Sequence, residues 1–388
     1  MKGHLRERSP GHWAIVLDVP DSTTGKRKRR WHSYTGTKRQ AQIECARLIS
    51  EMQGGTYVEP SKVTVAAYLA RWLEHVRPQI SPRTFERYSE IVVKNILPAL
   101  GGVQLAKLRP VQISEMYARA LTSGRKDGTG GLAPASVIYI HRVLKHALAQ
   151  AVRWEMLSRN PAEAVAPPKS ERPEMHALDT AAAAALLEEV RLFRLFVPVM
   201  LAITCGMRRG EICALRWRSV DLANAQIAVV GTIEQTRQGI REKAPKNGRA
   251  RAVAMTTLSV DELRRHKVSQ AEELLRLGIG QSDDTFVVAQ ADGRCLKPNS
   301  LTHEFVRFIA GTTLPRVRFH DLRHSHATHL LASGVHPKIA QERLGHATIA
   351  VTLDLYSHVL PGMQEDAASR VDAALRAALD KRRTGKKG

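Results

Sequence analysis

Between Asn160 and Ser170 the chain carries Asn160-Pro161 and then Pro167-Pro168-Lys169-Ser170. Proline fixes its own backbone and pushes the preceding residue away from helix, so no regular element is expected to cross this stretch. It is the best domain boundary in the sequence, and the patterns on its two sides differ. Residues 61–160 read as all helix, whereas residues 175–388 read as a mixture of helix and strand. A length of 388 residues fits two or three domains.

In the helical part, Val65, Leu69, Trp72 and Leu73 form one amphipathic stripe. Ser81-Pro82 opens a second helix, with the serine as N-cap and the proline in the first turn. Its Tyr88, Ile91 and Val92 supply an apolar face before Pro98 and Gly101-Gly102. Val111 to Leu121 and Ala135 to Trp154 make two more, separated by the polar, glycine-rich loop Thr122 to Gly131. Residues 1–60 read instead as a small sheet module. Trp13 to Val19 is a strand and Trp31 to Tyr34 a second, with the basic run Lys26 to Arg30 before it. A helix from Lys38 to about Gln53 follows, with Ala41, Cys45, Leu48, Ile49 and Met52 near one face. A basic ribbon beside aromatics fits a nucleic-acid groove, and a solvated hairpin is the alternative.

Beyond the proline break, Thr180–Val190 and Leu192–Ile203 read as helices. Ala225 to Val230 and Arg251 to Met255 read as hairpin strands joined by a long polar loop. Asp261 to Leu277 is helical, Thr285 to Ala289 a short strand, and helices dominate the rest. The fold class is therefore multidomain and mainly α with small β-sheets: an N-terminal β-sheet plus helix module, a helical domain and a mixed α/β domain.

Charge narrows the partner. Lys and Arg total 59 against 37 acids, a formal net charge of +22. The surplus is +5 over residues 1–60, +9 over 61–170 and +8 over 171–388, so the whole body is basic rather than one tail. Such a field favours a polyanion, of which DNA is the usual one, and names no reaction. No apolar run is long enough to span a membrane, and Met1 to Pro10 lacks the apolar stretch of a signal peptide, so a cytoplasmic protein with no membrane partner is expected. Cys45, Cys205, Cys213 and Cys295 are scattered and read as reduced thiols, with neither a disulfide framework nor a zinc site.

Three clusters carry candidate chemistry. In the first, Thr204 to Trp217, a glycine breaks a helix at Gly206 and Arg208 follows at the turn. A guanidinium fixed there can make paired hydrogen bonds to a phosphate; the bland alternative is a surface arginine pairing with Glu211. In the second, His320-Asp321-Leu322-Arg323-His324, the three-residue spacing puts His320 and Arg323 on one helix face, where both can address one anion. A zinc reading rests on His320 and His324, with His326 and His329 nearby. It lacks the inner glutamate of a zinc-protease motif, which Asp321 does not supply. The third runs from Leu344-Gly345-His346 to Thr352-Leu353-Asp354-Leu355-Tyr356-Ser357-His358, in which a lone tyrosine is ordinarily a half-buried core residue.

In this order and spacing the clusters resemble the tyrosine recombinase family, over almost the whole chain and most closely from Arg318 to Met363. The resemblance implies that Arg208 and Arg323 are paired phosphate-binding arginines, that His320 is the histidine before the second of them, that His346 holds the family's His/Trp position and that Tyr356 is the nucleophile. Lys246, in Pro245-Lys246-Asn247-Gly248-Arg249-Ala250-Arg251-Ala252-Val253, matches the hairpin lysine, with Lys243 as its alternative, and Glu211 matches an acidic position supporting the first arginine. Cys205, Asn247 and Ala250 depart from the commoner threonine, threonine and serine without removing a charged or nucleophilic group.

It implies an arm-type DNA-binding domain (1–60), a helical core-binding domain (61–165) and a catalytic domain with a C-terminal helix and basic tail (171–388). The activity implied is that of an integrase, which cleaves and rejoins DNA through a 3′-phosphotyrosine and integrates or excises a mobile element. It needs no metal, no ATP and no other cofactor. The partners implied are double-stranded DNA attachment sites, a homotetramer on DNA, a directionality factor and a host DNA-bending protein, in the bacterial cytoplasm or nucleoid. In the family a C-terminal segment such as Ala367 to Leu379 docks on a neighbouring subunit; packing on its own domain is the alternative. Rival readings are a recombinase-derived DNA-binding protein without catalysis, a metal-dependent nuclease and a type IB topoisomerase.

Overall fold

In a computed structural model of the chain, residues 3–20, 27–54, 62–125, 127–170, 177–244, 248, 250–356 and 363–384 are described. The chain divides into two compact units, Met1–Glu171 and Arg172–Gly388. Its fold is mainly helical with small sheets.

The first unit opens with an antiparallel sheet of order β1-β2-β3, formed by β1 (Gly3–Ser9), β2 (His12–Pro20) and β3 (Arg27–Thr35). Strand β1 was not expected from the sequence. It is a polar edge strand, mostly exposed, and so lacks the apolar alternation that marks a half-buried one. Helix α1 (Lys38–Gln53) starts at a reciprocal cap: Gln40 N–H donates to Thr37 Oγ1 at 3.3 Å, and Thr37 N–H donates to Gln40 Oε1 at 2.9 Å. Cys45 and Leu48 of α1 pack on Ile15 and Leu17 of β2, with Leu5, Tyr34, Ile49 and Met52 around them.

A separate core lies among the helices that follow, α2 (Val65–Val76), α3 (Pro82–Ile91), α4 (Leu97–Leu100), α5 (Pro110–Ser123) and α6 (Pro134–Arg153). Ser81 caps α3, accepting from Thr84 N–H, and Pro82 occupies the first turn. A π-helical turn, Val92–Ile96, joins α3 to α4. The wider turn lets Ile91, Val92, Ile96 and Leu100 all bury, a spacing that a regular α-helix spreads around its circumference. Trp72 stacks on Tyr88 with ring centroids 5.7 Å apart, and the Tyr68 hydroxyl donates to the Ala147 carbonyl.

The second unit is built around α8 (Phe196–Cys205), preceded by α7 (Thr180–Glu189) and followed by α9 (Arg209–Ala214). Val197 to Ile203 and Cys205 of α8 are buried on every side, the signature of a central helix rather than a surface one. The helix expected from Leu192 starts at Phe196, and Leu192 itself is 95% exposed. Strands β4 (Val220–Asp221), β5 (Gln226–Val229) and β8 (Arg251–Ala254) form one sheet of order β4-β5-β8. The polar connection between β5 and β8 contains a hairpin of its own, β6 (Thr232–Thr236) with β7 (Gly239–Lys243). Helices α10 (Thr257–Arg276), α11 (Pro298–Ala310), α12 (Phe319–Ala332), α13 (Pro337–Leu344), α14 (Ile349–Tyr356) and α15 (Met363–Thr384) complete the unit. The strand expected over Thr285–Ala289 is reduced to isolated bridges, Arg216 with Phe286 and Ala289 with Cys295. It borders loop on both sides, so it has no ladder to join.

All four cysteines are free thiols, three buried and Cys295 half-buried. Among the described residues no helix is long and apolar enough to cross a membrane.

Candidate active site

The site begins where α8 ends. Gly206 takes a left-handed conformation, φ +63°, and a Cβ there would lie 2.5 Å from Cδ2 of His326 and 2.9 Å from Cδ2 of Leu344. Only glycine therefore turns the chain here while α12 and α13 stay packed against the turn. Two residues on, Arg208 is the N-cap of α9. The Arg208 backbone N–H donates to Glu211 Oε2 at 2.8 Å, and its Nη1 donates to Oε1 at 2.9 Å. The pairing with Glu211 is thus present, and the carboxylate it uses is buried rather than on the surface.

Glu211 is almost fully buried and takes a second, two-pronged set of bonds from Arg251 of β8, at 2.9 and 2.7 Å. Burial by itself would raise its carboxyl; the Arg251 hydrogen bonds and charge, then those of Arg208, more than reverse this and hold it at about 2. Arg251 is the residue that the sequence reading passed over. Its place in the sequence, Arg251-Ala252-Val253, is five residues after Lys246 in the same basic stretch.

Arg323 lies on α12, 3% exposed, and donates to the Gly206 carbonyl and the Leu344 carbonyl. Arg208 Nη2 donates to the Gly345 carbonyl at 2.8 Å, and Arg251 Nε to the Arg343 carbonyl at 2.9 Å. Three guanidiniums therefore sit on three successive carbonyls, 343, 344 and 345, at the C-terminal end of α13. Those carbonyls belong to the groups a helix end leaves without intrahelical partners. The two before them accept from the chain itself: Gly345 N–H bonds the Glu342 carbonyl at 3.1 Å and His346 N–H the Gln341 carbonyl at 3.1 Å. Gly345 makes this possible with φ +64°. The end of α13 is fully satisfied, and it fixes the arginines as a set.

Arg323 is pushed down to about 9 by burial and then by the Arg208 charge, which leaves it a cation at neutral pH. Among the described residues, Glu211 is the only carboxylate that hydrogen-bonds Arg208, Arg251 or Arg323. Three cations around one acid leave a positive excess in a partly enclosed place. Guanidinium carries five N–H donors, so Arg208 and Arg323 retain donors beyond those used on the protein, suited to a phosphate's oxygens.

Three histidines border this set. His320 lies on the exposed side of α12, its ring 4.8 Å from that of His324. Desolvation, then the charges of His324 and Arg323, bring His320 down to about 4. His346, half-buried just after Gly345, is likewise brought to about 4 by burial and then by Arg323 and Arg208. Both rings are neutral at pH 7, so each offers one N–H and one lone pair for hydrogen bonding. His326 is buried and stands behind the site: its Nδ1 bonds the Ile203 carbonyl at 2.8 Å, and its Nε2 accepts from Arg343 Nε at 3.0 Å. It ties α8, α12 and α13 together. No group of three or more His, Cys, Asp or Glu able to hold a metal occurs among the described residues.

The structure thus brings Arg208, Arg323, His320 and His346 together. Tyr356 is the last residue of α14, and its side chain lies outside what is described. Lys246 lies outside the described residues. Its alternative, Lys243, ends β7 and donates to Glu234 Oε1.

The chain is similar to known proteins in both units. Residues 171–362 match the phage integrase family, and residues 64–120 match the N-terminal SAM-like domain of phage integrases. The chain is 30% identical over 223 residues to the tyrosine recombinase XerC of Mycobacterium sp. (strain KMS), covering 54% of this chain and 67% of that protein. It is 24% identical over 384 residues to a XerC-like tyrosine recombinase of Caldanaerobacter subterraneus subsp. tengcongensis, covering 93% and 96%. The integrase of the Tn1549 transposon, solved with a circular intermediate DNA, shares the fold with a TM-score of 0.64 at 19% identity, over 79% of this chain and 99% of that one. With the arginine set on the end of α13 in view, the chain belongs to the phage integrase family and is a tyrosine site-specific recombinase.

Proposed function

We propose that this recombinase cleaves and rejoins double-stranded DNA at specific attachment sites through a 3′-phosphotyrosine on Tyr356, integrating or excising a mobile element. The observation that carries the reading is the set of Arg208 and Arg323 on successive carbonyls beside His346. It offers a fixed, positively charged seat for one phosphate. The phenolic oxygen of Tyr356 attacks phosphorus, the bond to the 5′ oxygen breaks, and the phosphoryl group passes to the tyrosine. A phenol free in water has a pKa of about 10, so the proton of Tyr356 needs an acceptor or a strongly positive site, and His320 serves as its acceptor or relay. Lys246 protonates the departing 5′ oxygen; the commitment of Lys243 to Glu234 supports this choice. Arg208 and Arg323 hold the nonbridging oxygens, and His346 donates to one of them. Reversal by another strand's 5′ hydroxyl reseals the DNA and restores Tyr356, with bond energy conserved throughout.

Phosphoryl transfer depends chiefly on positioning and charge stabilisation. The two arginines supply both, and the chemistry calls for neither metal nor ATP. Residues 1–60 serve as an arm-type DNA-binding domain, 61–165 as the core-binding domain and 171–388 as the catalytic domain. Four copies act together on paired sites, with a directionality factor and a host bending protein as accessory partners, in the bacterial cytoplasm.

The test is a covalent trap. Nicked DNA from the region flanking the gene is incubated with the wild type and with Tyr356→Phe. An SDS-resistant adduct, formed by the wild type alone and insensitive to EDTA, is expected. Equal footprints from both proteins with no adduct from either would replace this reading with that of a binding protein lacking catalysis.

A further inference from the structure

Among the described side chains of helix α14, the buried one is a threonine. Of its side chains that are described, Ile349, Ala350 and Leu353 are exposed, Ile349 to 39% and Leu353 to 44%, while Thr352 is fully buried. Hydrophobic gain alone does not account for a threonine buried more deeply than Ile349 and Leu353. The buried hydroxyl has a specific partner, for Thr352 Oγ1 lies 3.0 Å from Nδ1 of His346.

We infer that Thr352 is a positioning residue, whose hydroxyl donates to His346 Nδ1 and thereby places the remaining imidazole proton on Nε2, aimed at the phosphate. A neutral imidazole carries one N–H, and a hydroxyl can take either role. With an anion facing Nε2, the favourable arrangement keeps the N–H there while Thr352 donates to Nδ1. If Nδ1 held the proton, Nε2 would present a lone pair to an anion and repel it. The low pKa of His346 makes this choice matter, since no second proton is present at neutral pH to hide a wrong tautomer. The same bond also sets the register of α14. Thr352 stands four residues, about one helical turn, before Tyr356, so the histidine of the phosphate seat and the helix that carries the nucleophile are linked through one hydroxyl. The inference rests on the reading of His346 as a phosphate donor.

Thr352→Val keeps the shape and removes the hydroxyl, whereas Thr352→Ser keeps the hydroxyl and removes the methyl. On the nicked-DNA substrate, Thr352→Val is expected to lower the first-order rate of adduct formation about tenfold, the worth of one hydrogen bond, with DNA affinity unchanged. Thr352→Ser is expected to stay near the wild-type rate. In spectra of the protein labelled with ¹⁵N-histidine, the His346 ring, assigned through His346→Ala, is expected as the Nε2–H tautomer in the wild type. That preference should fade in Thr352→Val. A Thr352→Val rate equal to wild type, a Thr352→Ser loss as deep as that of valine, or an Nδ1–H tautomer in the wild type would each overturn the inference. Wild-type adduct formation reports separately on the recombinase reading. A His346→Ala protein that cleaves normally would remove both His346 and Thr352 from the mechanism while leaving Tyr356 in place.

Discussion

Glu211 shows how much a single residue carries. It is a buried acid whose oxygens accept from two arginines and from the Arg208 backbone, and it is held at about 2 against an ordinary 4.5. A carboxyl depressed on folding stabilises the native state fully above its unfolded pKa, and the contribution is lost as pH falls through the folded one. The window here runs from about 4.5 down to about 2. The shift corresponds to about 3 kcal/mol, as an order of magnitude. Glu211→Gln is therefore expected to be less stable at pH 7 by about that amount, and to lose less on acidification than the wild type does, as urea unfolding at pH 7, 4 and 3 would show. Its rate of adduct formation should also fall, because Arg208 loses the carboxylate that aims it. The residue was legible in the sequence as a helper of Arg208. What could not be read was that Arg251, 40 positions further on, grips the same carboxylate. That pairing depends on the placement of β8 beside α9, which no local pattern encodes.

At the scale of elements, legibility followed the strength of local signals. Thr37, Ser81 and Asp179 start α1, α3 and α7 through side-chain caps, and the apolar stripes of α2, α5 and α6 face their core as their periods require. Elements without such signals were missed or misplaced. Strand β1 is polar, the β6–β7 hairpin is short and its second strand mostly exposed, and the π turn after Ile91 hides inside a continuous helical pattern. At the site, the clusters were visible as motifs, yet their convergence on the end of α13 was not, because main-chain carbonyls leave no trace in side-chain identity. Gly206 is where an element boundary becomes chemistry. Its φ of +63° and the 2.5 Å approach of a would-be Cβ to His326 combine two penalties in one substitution. Gly206→Ala is expected to cost more than about 1 kcal/mol in stability and to displace the carbonyl that Arg323 holds. Thermal melts should fall, and adduct formation at a temperature where the variant remains folded should fall further than that of a surface alanine control.

For the whole molecule, the distribution of charge is the governing feature. The net charge of +22 is spread over both units rather than held in a tail, with residues 1–170 contributing +14 of it. A protein that meets DNA through many such groups releases counterions on binding, and its affinity falls steeply with salt. The full chain is expected to lose about a thousandfold or more in affinity for its attachment site between about 50 and about 200 mM salt. The second unit alone, residues 172–388, should bind more weakly and with a shallower slope. Fluorescence anisotropy across a salt series would separate the two, and parallel slopes would show that the first unit makes few phosphate contacts.

The anchoring of three arginines on carbonyls 343, 344 and 345 has an evolutionary consequence. An acceptor that is part of the main chain is present whatever side chain the position bears, so mutation cannot delete it. Drift at Arg343 and Leu344 can alter packing without stripping Arg251 or Arg323 of a partner; only the turn at Gly345 is tied to one amino acid. A constellation of side chains stored this way is robust to sequence divergence.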